Sequence, residues 1–369
     1  MPGAKETVLD IHLKALEHNF SFLKSKINPD TQFMAVVKAF AYGNDAVEVA
    51  GYLEQSGVDY FAVAYAAEGI ALRDAGITTP ILVLHPQKVH LPELIARCLE
   101  PSLYNSYILK AFIEAAKKHR QHRYPVHLKF NTGLNRLGFR ESDIEEIVKS
   151  IRETDTLRVK SVFSHLVASE DRNEEAFTLN QIRTFKRIAE DISSAIGYRP
   201  LWHQLNTSGI LNYAHVAQFD MVRSGIGLYG FGNDPQYRKY LKPVAVLKTV
   251  ISQIHHIKKG ESVGYNRAFI AKKPLTTATL PIGHADGISR RYGHGKGFVT
   301  LYGKKAPVVG NICMDMLMVD VSGIACKEGD EVIVFGARPT AETLAESAGT
   351  ISYELIAGIS PRVKRVIVK

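Results

Sequence analysis

The chain has 369 residues, 46% hydrophobic and 22% charged, a composition that supports a large core without metal or disulfide staples and, at this length, two domains. Its net charge of +9 comes from scattered Lys and Arg with no long basic run or aromatic–basic motif, which argues against a nucleic-acid partner. No apolar run is long enough for a membrane helix, Met1 to Asp10 contains no apolar signal core, and Cys98, Cys313 and Cys326 lack paired spacing. The expectation is a cytoplasmic protein with reduced thiols, no metal site and no membrane partner.

In chain order, an N-terminal strand is expected at Glu6–Asp10 and a helix at Leu13–Lys26. Eight β-rich runs then follow: Phe33–Val37, Tyr60–Ala64, Pro80–Leu84, Glu100–Tyr104, Pro125–Phe130, Val159–Phe163, Leu201–Leu205 and Phe219–Val222. Amphipathic stretches separate them at Ala46–Gln55, Glu68–Ala75, Leu91–Leu99, Ile108–His119, Asp143–Glu153 and Phe177–Ile196. Strands alternating with helices imply parallel β/α units, and eight of them predict a (β/α)8 TIM-type barrel over residues 11–240. Beyond it the texture changes. Val244–His256, Leu275–Leu280, Gly297–Leu301, Ala306–Val309, Met316–Val321, Glu331–Phe335 and Arg362–Val368 read as strands joined by Gly, Asp and Pro turns. They predict a mainly β domain over 241–369, which the strand within residues 1–10 can join.

Barrels of this type carry their chemistry at the C-terminal ends of the strands. The first predicted strand runs into Lys38 and then Tyr42; the fifth ends near Lys129 and leads to Arg136; the sixth is followed by His165. The seventh leads to Asn206-Thr207-Ser208 and the eighth to Arg223-Ser224-Gly225-Ile226-Gly227. Loops after strands seven and eight often bind phosphate, here with the Ser208 hydroxyl and the backbone N–H groups of Gly225 and Ile226. Residues 225–230 also match G-x-G-x-x-G, but no βαβ unit follows, so the dinucleotide reading is rejected. A lysine in an apolar barrel mouth suits a desolvated amine that forms a Schiff base with an aldehyde. Lys38 together with a phosphate cradle fits pyridoxal phosphate (PLP).

These residues carry a family resemblance. Ala35-Val36-Val37-Lys38-Ala39 with Ala41-Tyr42-Gly43, the run Leu128 to Gly138, Phe163-Ser164-His165-Leu166, Asn206-Thr207-Ser208, Arg223 to Gly230, Val263-Gly264-Tyr265, Gly310 to Asp315 and Ser352-Tyr353-Glu354 resemble, in order and across nearly the whole chain, the motifs of alanine racemases. Phe40 departs from a usual Asn, Asn44-Asp45 from His-Gly, and Asn131 from Asp.

The resemblance implies a PLP enzyme that interconverts L- and D-alanine and supplies D-alanine for peptidoglycan. Lys38 serves as the base on the D-specific face and Tyr265 on the L-specific face. It implies Arg223 at the pyridine nitrogen, where a guanidinium, being only a donor, leaves that nitrogen unprotonated. His165 supports Tyr265. Tyr42, Asn206, Ser208, Gly225, Ile226 and Tyr353 are assigned to the cofactor, mostly to its phosphate. Arg136, the Met314 N–H and Asp315 are assigned to the substrate side, with Lys129 a candidate for carbamylation. A head-to-tail homodimer with shared sites is implied, a small amino acid being the other partner. A racemase of broader specificity, or a PLP decarboxylase of related architecture, is the alternative; Arg223 speaks against the latter.

Overall fold

The computed structural model describes residues 4–369. The chain divides into two compact units, one formed by Glu17–Ala41 and Ala46–Lys242, the other by the segment up to Leu16, Tyr42–Asp45 and Pro243–Lys369.

The first unit is a closed parallel barrel. Its strands are Gln32–Val36, Tyr60–Val63, Ile81–Val83, Glu100–Leu103, Tyr124–Lys129, Leu157–Phe163, Leu201–His203 and Met221–Ser224. Closure runs from the last strand to the first, Gln32 pairing with Met221 and Ala35 with Ser224. Four of the eight strands are buried over their whole length, as expected where helices cover a parallel sheet outside and side chains fill it inside. The periodic runs become helices at Ala46–Gln55, Ala66–Asp74, Leu91–Ala96, Ser106–Lys118, Ile144–Arg152 and Glu175–Ile196. A further helix, Thr207–Ala217, follows the seventh strand.

The second unit contains a nine-stranded sheet. Val8–His12 joins it, antiparallel to Ala245–Val250 and parallel to Lys364–Val368. The single strand expected at Val244–His256 is two strands, Ala245–Val250 and Gln253–Ile257. At the break the N–H of Ile251 turns to the Asp330 carbonyl and that of Ser252 to the Thr279 carbonyl. Two short helices, Ala341–Ser347 and Ser352–Ala357, complete the unit. Among the described residues, no helix is long and apolar enough to cross a membrane.

Candidate active site

In the barrel unit the expected strand-end groups converge. Lys38 follows the first strand, whose register is held by Val37 N–H bonding to the Ala62 carbonyl at 2.9 Å. The backbone then does something sequence patterning did not suggest. Ala39, Phe40, Ala41 and Tyr42 all have φ between 53° and 55°, and Gly43 has φ 84°. This left-handed helical turn is unfavourable by roughly 1–2 kcal/mol for each L-residue. Glu68 anchors its start: one carboxylate oxygen accepts the Ala39 N–H at 2.6 Å and the other those of Ala64 and Tyr65 at 2.6 and 3.1 Å. One side chain thus caps the helix Ala66–Asp74 and fixes the residue after Lys38. In the second unit Gly43 ends the turn, where a Cβ would lie 2.2 Å from the Ile356 carbonyl oxygen.

Lys129 ends the fifth strand and is buried. Arg136 sits on a loop closed at its base by the Phe130–Phe139 bridge. Within the loop Asn131 Oδ1 accepts from Gly133 N–H at 3.1 Å and Asn135 N–H at 2.9 Å. The departure from Asp at 131 therefore retains an acceptor that shapes the Arg136 loop without adding a charge.

Arg223 is buried and held at both Nη atoms. Nη1 donates to His203 Nδ1 at 2.6 Å; Nη2 donates to the carbonyls of Ser164 and Gln204 at 2.7 and 3.0 Å and to His165 Nδ1 at 3.3 Å. Since arginine only donates, His165 accepts at Nδ1, which leaves the hydrogen on Nε2. The Phe163 ring lies beneath both Arg223 and Lys129, 5.4 and 5.9 Å from its centroid.

The electrostatics of this mouth are one-sided. Burial, then Arg136, push the Lys38 amine below the usual lysine value, against a smaller pull from Glu68. Burial, with Arg136, Arg223 and Lys38, brings Lys129 down to about 8. Burial brings Arg223 to about 9, still cationic at neutral pH. His165 is held well below its ordinary value, first by burial and then by these cations. Among the described residues, none of Lys38, Lys129, Arg136 and Arg223 has a carboxylate within ion-pair distance. Uncompensated cations at a cavity mouth call for an anionic ligand.

The loops after strands seven and eight meet beside them. Asn206 caps the helix Thr207–Ala217, its Oδ1 accepting the Gly209 N–H and the Ser169 hydroxyl, each at 2.8 Å. Ser208 stands in the first helical turn and Gly225-Ile226-Gly227 packs against it, the Gly227 N–H reaching Thr207 Oγ1 at 3.2 Å. A Cβ on Gly227 would lie 2.5 Å from Thr207 Cγ2, so this close backbone approach requires glycine. Small residues, free backbone donors and a helix N-terminus form a suitable anion cradle.

The second unit holds the remaining candidates. Tyr42 and Tyr353 approach with ring centroids 6.2 Å apart, and burial raises the Tyr42 hydroxyl well above its ordinary value, so it stays a donor. Tyr265 is 73% exposed, which rules out a core-filling role. It lines an open pocket of about 630 Å³ with Val263, Met314, Asp315, Met316 and Met318. The Met314 loop is clamped from behind, His284 and Ala285 N–H bonding the Cys313 and Met314 carbonyls at 3.0 Å each. Arg362 ties Asp315 at 2.6 Å to the same guanidinium that grips Asp286 at 2.6 and 3.2 Å.

Family models of the alanine racemase N-terminal and C-terminal domains match residues 11–233 and 244–367. The chain belongs to the alanine racemase family. An alanine racemase of Treponema denticola is 37% identical, with 97% of each chain covered. Among solved structures, alanine racemase of Clostridium difficile 630 superposes with TM-score 0.92 at 34% identity, covering 99% of this chain and 96% of that one. The alanine racemase of Bartonella henselae with covalently bound pyridoxal phosphate superposes with TM-score 0.90 at 28% identity, covering 99% of this chain and all of that one. Glu68 and Arg362 escape sequence reasoning, and Thr207, quoted only within the Asn206-Thr207-Ser208 motif, receives no role from it. The only signal for Glu68 is a glutamate at the third position of a helix; the other two are ordinary surface-type residues in any sequence pattern.

Proposed function

We propose that this chain interconverts L- and D-alanine with PLP as cofactor, and that D-alanine for peptidoglycan is its cytoplasmic product. The observation that carries this reading is the unpaired cationic mouth beside a glycine cradle, since PLP and an amino acid together bring a phosphate, a phenolate and a carboxylate. When bound, PLP supplies an electron sink for the pair left at Cα.

The residues present fit that group. Lys38, its ammonium destabilised by burial, holds the cofactor aldehyde and takes or returns the proton on one face. The Gly225 and Ile226 N–H groups and the Ser208 hydroxyl receive the phosphate, with Tyr42 and Tyr353 assigned to it by resemblance. Arg223, pinned at both Nη atoms, offers the ring nitrogen a hydrogen bond and accepts no proton. Arg136 and the Met314 N–H orient the substrate carboxylate.

Tyr265 exchanges the proton on the other face, and its exposure supports service in a second copy's barrel. Tyr265, Met314 and Met316 are 73%, 59% and 45% exposed, an apolar face suited to a head-to-tail homodimer with shared sites. The pKa near 8 at Lys129 provides the neutral amine that carbamylation requires, and a carbamate there would place an anion among the cations. Intact mass spectrometry under native conditions reads this directly; an unmodified Lys129 in active enzyme removes it.

The test of function is to incubate the purified protein with PLP and L-alanine and to resolve the enantiomers by chiral chromatography. A near-equal mixture is expected. A PLP-loaded protein that yields no D-alanine, but forms D-serine from L-serine or an amine by decarboxylation, overturns the substrate assignment.

A further inference from the structure

A file of buried polar side chains crosses the barrel interior from Arg223, and the chemistry above uses only its first member. Arg223 Nη1 lies 2.6 Å from His203 Nδ1, and His203 Nε2 lies 2.8 Å from Ser161 Oγ. Ser161 Oγ lies 2.6 Å from His127 Nδ1, and His127 Nε2 lies 2.6 Å from Glu100 Oε2. The Tyr60 hydroxyl donates to the same carboxylate oxygen at 2.9 Å. Glu100, His127, Ser161, His203 and Arg223 come from five successive barrel strands. Glu100 is 9% exposed and the other four are 4% or less.

With one hydrogen on each imidazole, the hydrogens of the file follow from one fact: a guanidinium has donors only. His203 must accept at Nδ1 and so carries its hydrogen on Nε2. That hydrogen goes to Ser161, whose own hydroxyl then donates to His127 Nδ1. His127 is left with an Nε2–H, which meets Glu100. A cation stands at one end and a carboxylate at the other, with hydrogen bonds of a single polarity running between them. Burial, and then the Arg223 cation, hold the His203 imidazole well below its ordinary value. Burial pushes Glu100 up, but the bonds from His127 and Tyr60 outweigh it and leave the carboxyl below its ordinary value.

We propose that Glu100 is a positioning residue for Arg223, acting through His127, Ser161 and His203 to fix the guanidinium's orientation toward the cofactor. This rests on the assignment of Arg223 to the ring nitrogen. Charge and hydrogen direction both matter. In Glu100→Gln, an amide NH2 turned to His127 reverses every hydrogen in the file. It ends with an N–H on His203 Nδ1 facing the guanidinium, donor against donor, and Arg223 must turn away. Ser161→Ala cuts the file at its middle while leaving Glu100 in place.

The experiment uses PLP-loaded wild type, Glu100→Gln, Ser161→Ala and the double variant. It reads histidine 15N NMR, the visible absorption band of bound PLP, and kcat and KM. Wild-type His127 and His203, assigned by His127→Gln and His203→Gln, are expected as Nε2–H tautomers. Each single variant is expected to shift the PLP band and lower kcat about tenfold, the worth of one charge-assisted hydrogen bond. KM changes less, and the double is no worse than the poorer single, because the members act as one unit. Should Glu100→Gln fail to fold, Ser161→Ala carries the same expectation. Additive losses, an Nδ1–H tautomer at His203, or folded variants changed only in Tm overturn the proposal. Arg223→Lys separates the two levels. If it leaves the PLP band and kcat unchanged, the ring-nitrogen assignment falls and this proposal with it. If it alters both while Glu100→Gln and Ser161→Ala do not, only the role of Glu100 falls.

Discussion

Lys38 and Tyr265 are the two proposed proton carriers, and their surroundings differ in kind. Lys38 stands on a closed barrel among buried cations, followed by a strained turn that Glu68 holds in place. Tyr265 projects from a short irregular segment, 73% exposed, where Asn266 and Arg267 also adopt positive φ of 57° and 50°. One carrier is prepared by its own unit; the other is displayed.

The sharpest way to break this comparison is to remove each carrier in turn. Lys38→Ala should lower racemisation by at least about 10⁴-fold, a loss typical of an essential covalent or acid–base group, and abolish the visible band of bound PLP. Retention of that band would displace Lys38 from its role. Tyr265→Phe should lower activity by about 10²–10⁴-fold with the band retained. Mixed under proven subunit exchange, the two inactive proteins should recover roughly a quarter of wild-type activity, since half of random dimers then hold one intact site. No recovery would place Tyr265 in its own chain's site.

Smaller effects probe what prepares each side. Lys129→Met should stabilise the PLP-free, bicarbonate-free protein at pH 7 by about 1–3 kcal/mol, read by thermal melts. The sign follows from linkage. Folded Lys129 has a pKa of about 8, below the unfolded 10.5. Its charge therefore opposes folding below pH 8, and that penalty is relieved as pH rises from 8 to 10.5. The advantage of the methionine variant should shrink over that interval; destabilisation instead would reveal a bound anion or a carbamate at Lys129. On the displayed side, Arg362→Met releases Asp315 and should raise KM for alanine about threefold to tenfold with little change in PLP affinity, an amount in keeping with one exposed charge-assisted bond. Smallest of all, Phe40→Asn should raise stability by about 0.5–1 kcal/mol, because asparagine tolerates the left-handed region better. Phe40 is 43% exposed, so little burial is lost. An unchanged or lower Tm would show that the phenyl ring contributes packing that offsets its backbone strain.

Much of this was legible in the sequence. All eight barrel strands announce themselves because a strand covered on both faces is continuously apolar, and the polar residue that ends it is conspicuous. Lys38, Lys129, His165 and Arg223 were visible for that reason. The file from His203 to Glu100 was not, because Ser161, His127 and Glu100 sit within strands, where an isolated polar residue looks like surface alternation. Only closure of the barrel turns those positions toward one another. The left-handed turn was hidden differently: Ala39-Phe40-Ala41-Tyr42 has no glycine or asparagine to mark a positive φ, and the hydrogen bonds of Glu68 hold the conformation from a distance in sequence. The break at Ile251 was missed because the residues on either side share one strand-like pattern, while Asp330 and Thr279 decide where it bends.

The pairing of Val8–His12 between Ala245–Val250 and Lys364–Val368 sets an order of events during synthesis. Val8–His12 has no partner until residue 245 has left the ribosome, and its second neighbour, Lys364–Val368, follows more than a hundred residues later. The barrel segment, all of it translated in between, is free to close earlier, as N-terminal folding units commonly do. Until Lys364–Val368 has been made, the outer edge of Val8–His12 is an open template for another strand, and the pairing of that segment seals it.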